Sequence, residues 1–311
     1  MISILICSIK PDLLEKAKAN FTDTVGCEHE ILFFDNRLPK LGICAVYNQL
    51  TKDAKYPLIA FMHEDVEIRT KGWGKEAIDF FQSHPNAGLL GPAGITFVGH
   101  RNFNHVNPYT TAINLVQEDL KSGIKHHSWK PDGVLDFFRV AAVDGCFMIA
   151  PKEVCLQHPF DEKTFDFFHL YDMDFSMQVL KTHQVFACTK WDVTHFSFGS
   201  YNTDQKKYHL RFIEKWKHHL PVFFPLFPHH RNHIIDTKVI EVYRYIQHRL
   251  FEYLPVYIRF LMKEFSLLSA PFEIFLSHLR LIKDLFQSFR RNALKKFLPV
   301  ILITLCFSSF L

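Results

Sequence analysis

Pro57-Leu-Ile-Ala-Phe-Met-His-Glu-Asp-Val66 is the stretch on which the fold turns. Pro57 to Met62 carry no charge and are mostly apolar; His63, Glu64 and Asp65 then arrive together. A short apolar run bounded by polar residues reads as a buried strand, with the polar cluster at its carboxyl end. In open α/β sheets ligands bind at that edge. A carboxylate there can hold a hard cation, which suits phosphate oxygens. The same pattern also describes a strand followed by an acidic turn, so the flanking segments must decide.

Upstream, Ile2 to Ile9 is β-rich and reads as a first strand. Pro11 to Asn20 reads as a helix, with Pro at its start and Leu13, Leu14 and Ala17 at helical spacing. Glu30 to Asp35 reads as a second strand ending in Asp35-Asn36, and Gly42 to Leu50 as a helix carrying Tyr47 and Asn48. With Pro57 to Met62 this is a βαβαβ pattern, which implies a parallel sheet. The expected fold class is therefore α/β.

Downstream, Gly72 to His84 is expected to be a helix, with Trp73, Ala77, Ile78, Phe80 and Phe81 on an apolar face. Gly88 to Gly94 reads as a strand broken by glycines, which lets backbone approach a ligand or another strand. Residues from about 100 to 132 read as a surface excursion or a loop over a site. Val134 to Ala150 has strand character interrupted by Asp144-Gly145. Phe165 to Leu180 reads as a loop entering a helix, and Val185 to Val193 as a further strand.

The composition, 48% hydrophobic and 22% charged over 311 residues, allows a normal core. A formal net charge of +4 is too small to argue for nucleic acid, and no nucleic-acid partner is expected. The seven cysteines are scattered, odd in number and without a CxxC pair. That speaks against a disulfide framework and a zinc ribbon and favours a reducing, cytoplasmic setting. Met1-Ile-Ser-Ile-Leu-Ile-Cys7 lacks a basic n-region and reads as a strand, not a signal peptide.

After about Leu220 the character changes, so the expected organisation is a domain over 1–220 and a helical tail over 221–311. Between Arg231 and Lys296 twelve Lys/Arg face six Asp/Glu, a segment charge of +6. Asp284 to Phe297 places Leu285, Phe289, Ala293 and Phe297 on one face, with Arg290, Arg291, Lys295 and Lys296 off it. A basic amphipathic helix is a membrane-surface pattern. The uncharged run from Phe297 to Leu311 is fifteen residues, short of the ~20 needed to span a bilayer. Peripheral membrane attachment is the expectation; packing on protein is the other reading.

There is no GxGxxG after the first strand, no GxxxxGK[ST] and no GxSxG. What remains is a series of carboxylates after apolar strands, Asp35, Asp65, Asp144, Asp172 and Asp174, with His195 similarly placed. With their neighbours they form Phe34-Asp-Asn36, Tyr47-Asn48, Phe61-Met-His-Glu-Asp-Val66, Gly72-Trp-Gly74, Val143-Asp-Gly-Cys-Phe-Met148, Phe160-Asp-Glu162, Phe168-His-Leu-Tyr-Asp-Met-Asp-Phe-Ser176 and Val193-Thr-His195. This order resembles the family-2 glycosyltransferases with the GT-A fold, in the branch whose metal motif reads His-x-Asp. The resemblance covers roughly residues 1–200 and implies a mostly parallel twisted sheet flanked by helices.

The resemblance also implies roles. Ser8, Asp35, Asn36, Asn48, His63 and Asp65 would bind a nucleotide-sugar donor. Asp65 and His195 would hold a divalent cation, Mn²⁺ or Mg²⁺, against the donor diphosphate. Asp172 would be the base that takes the acceptor proton in an inverting transfer. Asp144, Gly145, Trp73 and Asp174 would line the donor-sugar and acceptor pocket. From the residues alone, Asp35 can equally be a turn carboxylate, Asp144-Gly145 a tight turn, Asp174 a helix-start residue and His195 structural. Glu64 reads as a spacer.

Two positions depart from the family pattern: His63 stands for the first Asp of DxD, and Tyr171 for the Glu that often precedes the catalytic Asp. The implied activity is hexosyl or related transfer to a glycan, lipid-linked or protein acceptor, in surface polysaccharide or glycoconjugate synthesis. The departures keep a rival in view, a catalytically silent scaffold bound to a membrane or a partner.

Overall fold

The computed structural model describes residues 1–99, 110–119, 122–127, 135–197 and 203–226. The first half runs β1 (Ile2–Ser8), α1 (Pro11–Thr24), β2 (His29–Asp35), α2 (Ile43–Asp53), β3 (Leu58–His63), β4 (Val66–Ile68), α3 (Trp73–Ser83), β5 (Ala87–Gly91), β6 (Ala93–Ile95) and β7 (Phe97–Val98). There follow β8 (Thr111–Ile113), β9 (Leu115–Glu118), β10 (Lys125–His127), β11 (Phe137–Val140), β12 (Ala142–Val143), β13 (Phe147–Pro151), α4 (Lys152–Gln157), α5 (Tyr171–Val179), β14 (Gln184–Cys188), β15 (Val193–His195), α6 (Thr203–Trp216) and β16 (Val222–Phe223).

A seven-stranded sheet in the order β11-β14-β5-β13-β3-β1-β2 forms the centre. β2, β1 and β3 are parallel, and so are β14 and β5; β13 and β11 run against their neighbours. The sheet is thus mostly parallel, as expected. β3 is buried along its length because β1 and β13 flank it and both its faces are covered. A strand in that position needs a continuous apolar run, not an alternating one. β2, at the edge, is only partly buried. In α1, Leu14, Ala17 and Phe21 are buried at helical spacing, and Pro11 occupies the first turn, where its missing N–H costs nothing.

A second sheet, β10-β9-β15-β4, stands beside the carboxyl edge of β3. Its β15 pairs with β4 in the register His195↔Val66. That register brings His195 against Asp65, and the Phe196 amide donates to the Asp65 carbonyl at 2.8 Å.

Several expectations are corrected. The strand expected over Val185 to Val193 is two strands in two sheets. Trp191 divides them: its ring is fully buried, stacked on Phe147 at 5.4 Å, and its Nε1 donates to Glu76 at 2.9 Å. The strand expected over Gly88 to Gly94 breaks between β5 and β6 at Pro92, which has no N–H for a ladder. A Cβ on Gly91 would stand 2.9 Å from the Phe147 carbonyl, so there the close approach is to β13 and not to a ligand. In the stretch read as an excursion, β8 and β9 are sheet members, with Thr111, Ala112, Ile113 and Leu115 buried.

α4 and α6 were not anticipated. The described compact unit is Met1–Leu226. Val222 and Phe223, inside the expected tail, pair with β7. The rest of the expected tail, 227–311, lies outside the described residues. Among the described residues no helix is long and apolar enough to cross a membrane, and the six described cysteines are free.

Candidate active site

Strand register builds the site along one edge. Ser8 pairs with Asp35 and Cys7 with His63, so β2, β1 and β3 end side by side. At ~4.8 Å between strands, Asp35 and His63 sit about 10 Å apart across that edge. The edge is held by Glu64, which is nearly buried and is not a spacer. Its carboxylate accepts Ser8 Oγ at 2.5 Å and the Ile9 and Lys10 amides at 3.0 to 3.2 Å. Those bonds fasten the turn after β1 to the turn after β3.

Beyond Glu64, Asp65 meets two imidazoles. His195 Nε2 lies 3.3 Å and His63 Nδ1 3.8 Å from Asp65 Oδ1. One ligand atom from each of the three residues falls within 4.8 Å of the others. Burial raises the Asp65 carboxyl, but the hydrogen bond and charge of His195 and the charge of His63 outweigh it and bring it to about 2. Burial and then the charge of His195 push His63 down to about 4, so near neutral pH it is an uncharged imidazole. Burial pulls His195 down too, yet its hydrogen bond to Asp65 leaves it above its ordinary value. His195 Nδ1 is buried with no partner among the described residues.

Two imidazoles and one carboxylate suit a borderline divalent cation such as Mn²⁺ better than Mg²⁺, which prefers an all-oxygen shell. His63 being neutral and Asp65 ionised, both are in the ligating form. The residues present therefore fit a divalent cation.

Opposite this group, α5 opens with Tyr171 and Asp172. Leu170, with φ at 60°, turns the chain into this helix. The half-buried Asp172 accepts two backbone amides, Gly145 at 3.0 Å on Oδ2 and Met173 at 2.8 Å on Oδ1. Burial, then the charge of Asp144, raise its carboxyl to about 7, against the lowering effect of those amides. Asp144 is exposed and caps its own turn, accepting the Cys146 amide at 2.8 Å. The tight-turn reading of Asp144-Gly145 is thus present, and the turn lies against Asp172.

Tyr171 joins the two halves. Its hydroxyl lies 2.7 Å from His63 Nε2 and donates to the Gly145 carbonyl at 3.0 Å. Sequence reasoning registered Tyr171 only as a departure from a pattern. Its concurrence with the other departure, His63, was the available signal, since the two side chains are hydrogen-bonded partners.

The structure therefore brings together His63, Asp65, His195, Asp144, Gly145 and Asp172, with Ser8 and Asp35 on the same sheet edge. Asp35 is exposed and paired with Arg37, whose hydrogen bonds hold its carboxyl at about 2. Asn36 closes the 36–41 loop through both ends of its amide, to the Leu41 carbonyl at 2.9 Å and the Leu41 amide at 2.8 Å.

Three expected site residues do other work. Asn48 donates to the Phe160 carbonyl and to Glu162 and accepts the Phe160 amide, so both its amide hydrogens hold the loop after α4. Trp73 is fully buried, edge-on to Phe147 at 5.2 Å, with Nε1 donating to Thr24 at 3.1 Å. It is a core residue. Gly72-Trp-Gly74 has a packing cause: a Cβ on Gly74 would be 2.8 Å from the Val25 carbonyl. Asp174 is sealed by Trp216 Nε1 at 2.8 Å, Lys215 at 2.7 Å and Gln178 at 2.9 Å, which makes it the anchor between α5 and α6 and not a wall of the sugar pocket.

A depression of ≈ 540 Å³ opens around Asn48, Lys52, Phe160, Glu162 and Lys215; its lining includes none of His63, Asp65, Asp172 or His195.

No curated protein sequence matches the chain. Among solved structures, GalNAc-T7 with UDP, GalNAc and Mn²⁺ superposes with a TM-score of 0.49 at 10% identity, covering 70% of this chain and 49% of that one. The chain thus spans about half the length of that relative. TarS 1–349 from S. aureus gives 0.42 at 10% identity, covering 62% and 60%, and A197 from STIV gives 0.36 at 13% identity, covering 63% and 85%. The model of the Glycosyltransferase like family matches residues 3–216, most of the chain and every residue of the site just described. The chain belongs to this glycosyltransferase family.

Proposed function

We propose that the protein is an inverting, divalent-metal-dependent glycosyltransferase that moves a sugar, hexosyl or related, from a nucleotide-diphosphate donor to an acceptor hydroxyl. The observation that carries this reading is the pair of groups bridged by Tyr171: a His63–Asp65–His195 set fit for a cation, and an Asp172 carboxyl raised to about 7. A base is most effective when its pKa lies near the working pH.

Asp172 takes the proton of the acceptor hydroxyl as that oxygen attacks the anomeric carbon from the face opposite the leaving nucleotide. Its two backbone amides fix its plane and leave a lone pair on each oxygen for that proton. Asp65, His195 and His63 would hold the cation, which when bound supplies positive charge to the donor's diphosphate oxygens. Asp35 and Ser8, at the ends of β2 and β1, lie where a nucleoside would extend along the same edge. The His63–Tyr171 hydrogen bond speaks against a silent scaffold, because the two departures from the family pattern complement each other.

The acceptor in this reading is a glycan, a lipid-linked group or a protein, in surface polysaccharide or glycoconjugate synthesis. The basic, aromatic sequence beyond Phe227 supports attachment at the cytoplasmic face of a membrane. A chain ending at Pro228 is expected to stop sedimenting with anionic vesicles; continued sedimentation would refute the attachment. For the activity, thermal-shift screening of UDP-, GDP- and dTDP-sugars with Mn²⁺ is the test, because a bound donor raises Tm by mass action. One donor class is expected to raise Tm in a Mn²⁺-dependent way, and no response to any of them would refute the proposal.

A further inference from the structure

We infer that Tyr171 is a positioning residue of the metal site: its hydroxyl fixes the tautomer and plane of His63 so that Nδ1 faces Asp65 as a ligand. The inference rests on the metal reading of His63, Asp65 and His195 proposed above and adds a residue that is not itself a ligand.

The argument is one of proton accounting. A carbonyl has no hydrogen to give, so in the 3.0 Å contact with the Gly145 carbonyl Tyr171 must be the donor. A phenol has a single hydrogen, so towards His63 its oxygen can only accept. The hydrogen in the 2.7 Å contact therefore belongs to His63 Nε2. A neutral imidazole with hydrogen on Nε2 carries its lone pair on Nδ1. Nδ1 is the nitrogen that points to Asp65 Oδ1, at 3.8 Å.

The hydroxyl is itself well held. The Tyr171 ring is buried between Tyr47 at 6.1 Å, Phe160 at 6.2 Å and Phe168 at 6.0 Å. The Gly145 peptide it bonds is gripped from both sides: the carbonyl takes the Tyr171 hydrogen and the amide donates to Asp172 at 3.0 Å. A Cβ on Gly145 would run into the Tyr171 hydroxyl, 2.6 Å from Cζ, and stand 3.0 Å from the Asp172 Cβ. One peptide therefore ties the orientation of a ligand to that of the proposed base, and only glycine fits there.

Metal-bound imidazoles commonly need such an outer partner, and removing one costs about 10- to 100-fold in metal affinity. The full-length protein and its Tyr171→Phe variant are titrated with Mn²⁺, free Mn²⁺ being read by electron paramagnetic resonance. Tyr171→Phe keeps the ring packing and is expected to weaken Mn²⁺ binding by about 10- to 100-fold while the protein stays folded at the temperature of the titration. Independently of any variant, the ¹⁵N shifts of His63 in the metal-free wild type are expected to show hydrogen on Nε2 and none on Nδ1. A Tyr171→Phe protein that binds Mn²⁺ as the wild type does would overturn the inference alone. So would a His63 protonated on Nδ1. A wild type that binds no Mn²⁺ would overturn the metal reading together with it.

Discussion

Asp172 and Asp174 stand two residues apart on α5 and have opposite surroundings. Asp172 lies beside the Asp144-Gly145 turn, is half-buried, and has only backbone amides and the like charge of Asp144 for company. Asp174 points the other way, is 1% exposed, and has a lysine, an indole and an amide around it. The contrast extends to whole regions. On the brace side Asp161, Asp174, Lys215 and Trp216 satisfy one another, and Asn48 is closed by the Phe160 backbone and Glu162. On the other side His63, Asp65, His195 and Asp172 are held in place, yet keep lone pairs that nothing among the described residues uses. A buried polar group left open in this way costs stability, so it marks chemistry, while a closed network marks architecture.

The two regions are expected to respond differently to mutation. Asp65→Ala should lower Mn²⁺ affinity by more than the ~100-fold typical of an outer partner and abolish metal-dependent donor turnover, while the far-ultraviolet circular dichroism stays unchanged. Equal Mn²⁺ binding would move the cation site elsewhere. Asp174→Ala should do the reverse. It strands the Trp216 N–H, leaves Lys215 with Asp161 alone, and should cost roughly 2–3 kcal/mol in denaturant unfolding, less than a fully buried pair because Lys215 is partly exposed. Mn²⁺ affinity should survive below the lowered Tm.

pH separates the two carboxylates again. With Asp172 raised to about 7, kcat/KM should fall about tenfold per pH unit below that value and level off above it, because the base acts deprotonated. Stability runs the other way. The folded state holds this proton more tightly than the unfolded chain does. The stabilising contribution is therefore full below the ordinary carboxylate range and is lost as pH rises through about 7. Asp172→Asn should remove that loss. A rate profile flat from pH 5 to 8 would contradict the assignment. The smallest effect is expected at Asn48. Asn48→Ala releases the Phe160 loop and should cost about 1–2 kcal/mol, with donor KM nearly unchanged; a large rise in KM would return Asn48 to the donor site.

The central parallel strands were readable because β1 and β3 are long apolar runs that only a two-sided burial explains. The carboxylates at their ends were readable by position. Three kinds of feature were not. β8, β9 and β15 are three or four residues long and take their identity from the strands they pair with, so local pattern hardly marks them. Trp73 and Asp174 carry types that suit a sugar pocket, and only the fold reveals that one fills the core and the other faces Lys215. Glu64 and Tyr171 act through partners 56 and 26 residues distant, Ser8 and Gly145, which no local window links.

The most direct measurement is kcat for sugar transfer by wild type and Asp172→Asn with Mn²⁺ and the donor found by thermal shift. Donor-induced stabilisation should be equal in the two proteins, and kcat of the variant should fall by about 10² to 10⁴. A variant that binds donor and transfers sugar at the wild-type rate would contradict the assignment of Asp172 as the base, and with it the account of how this site works.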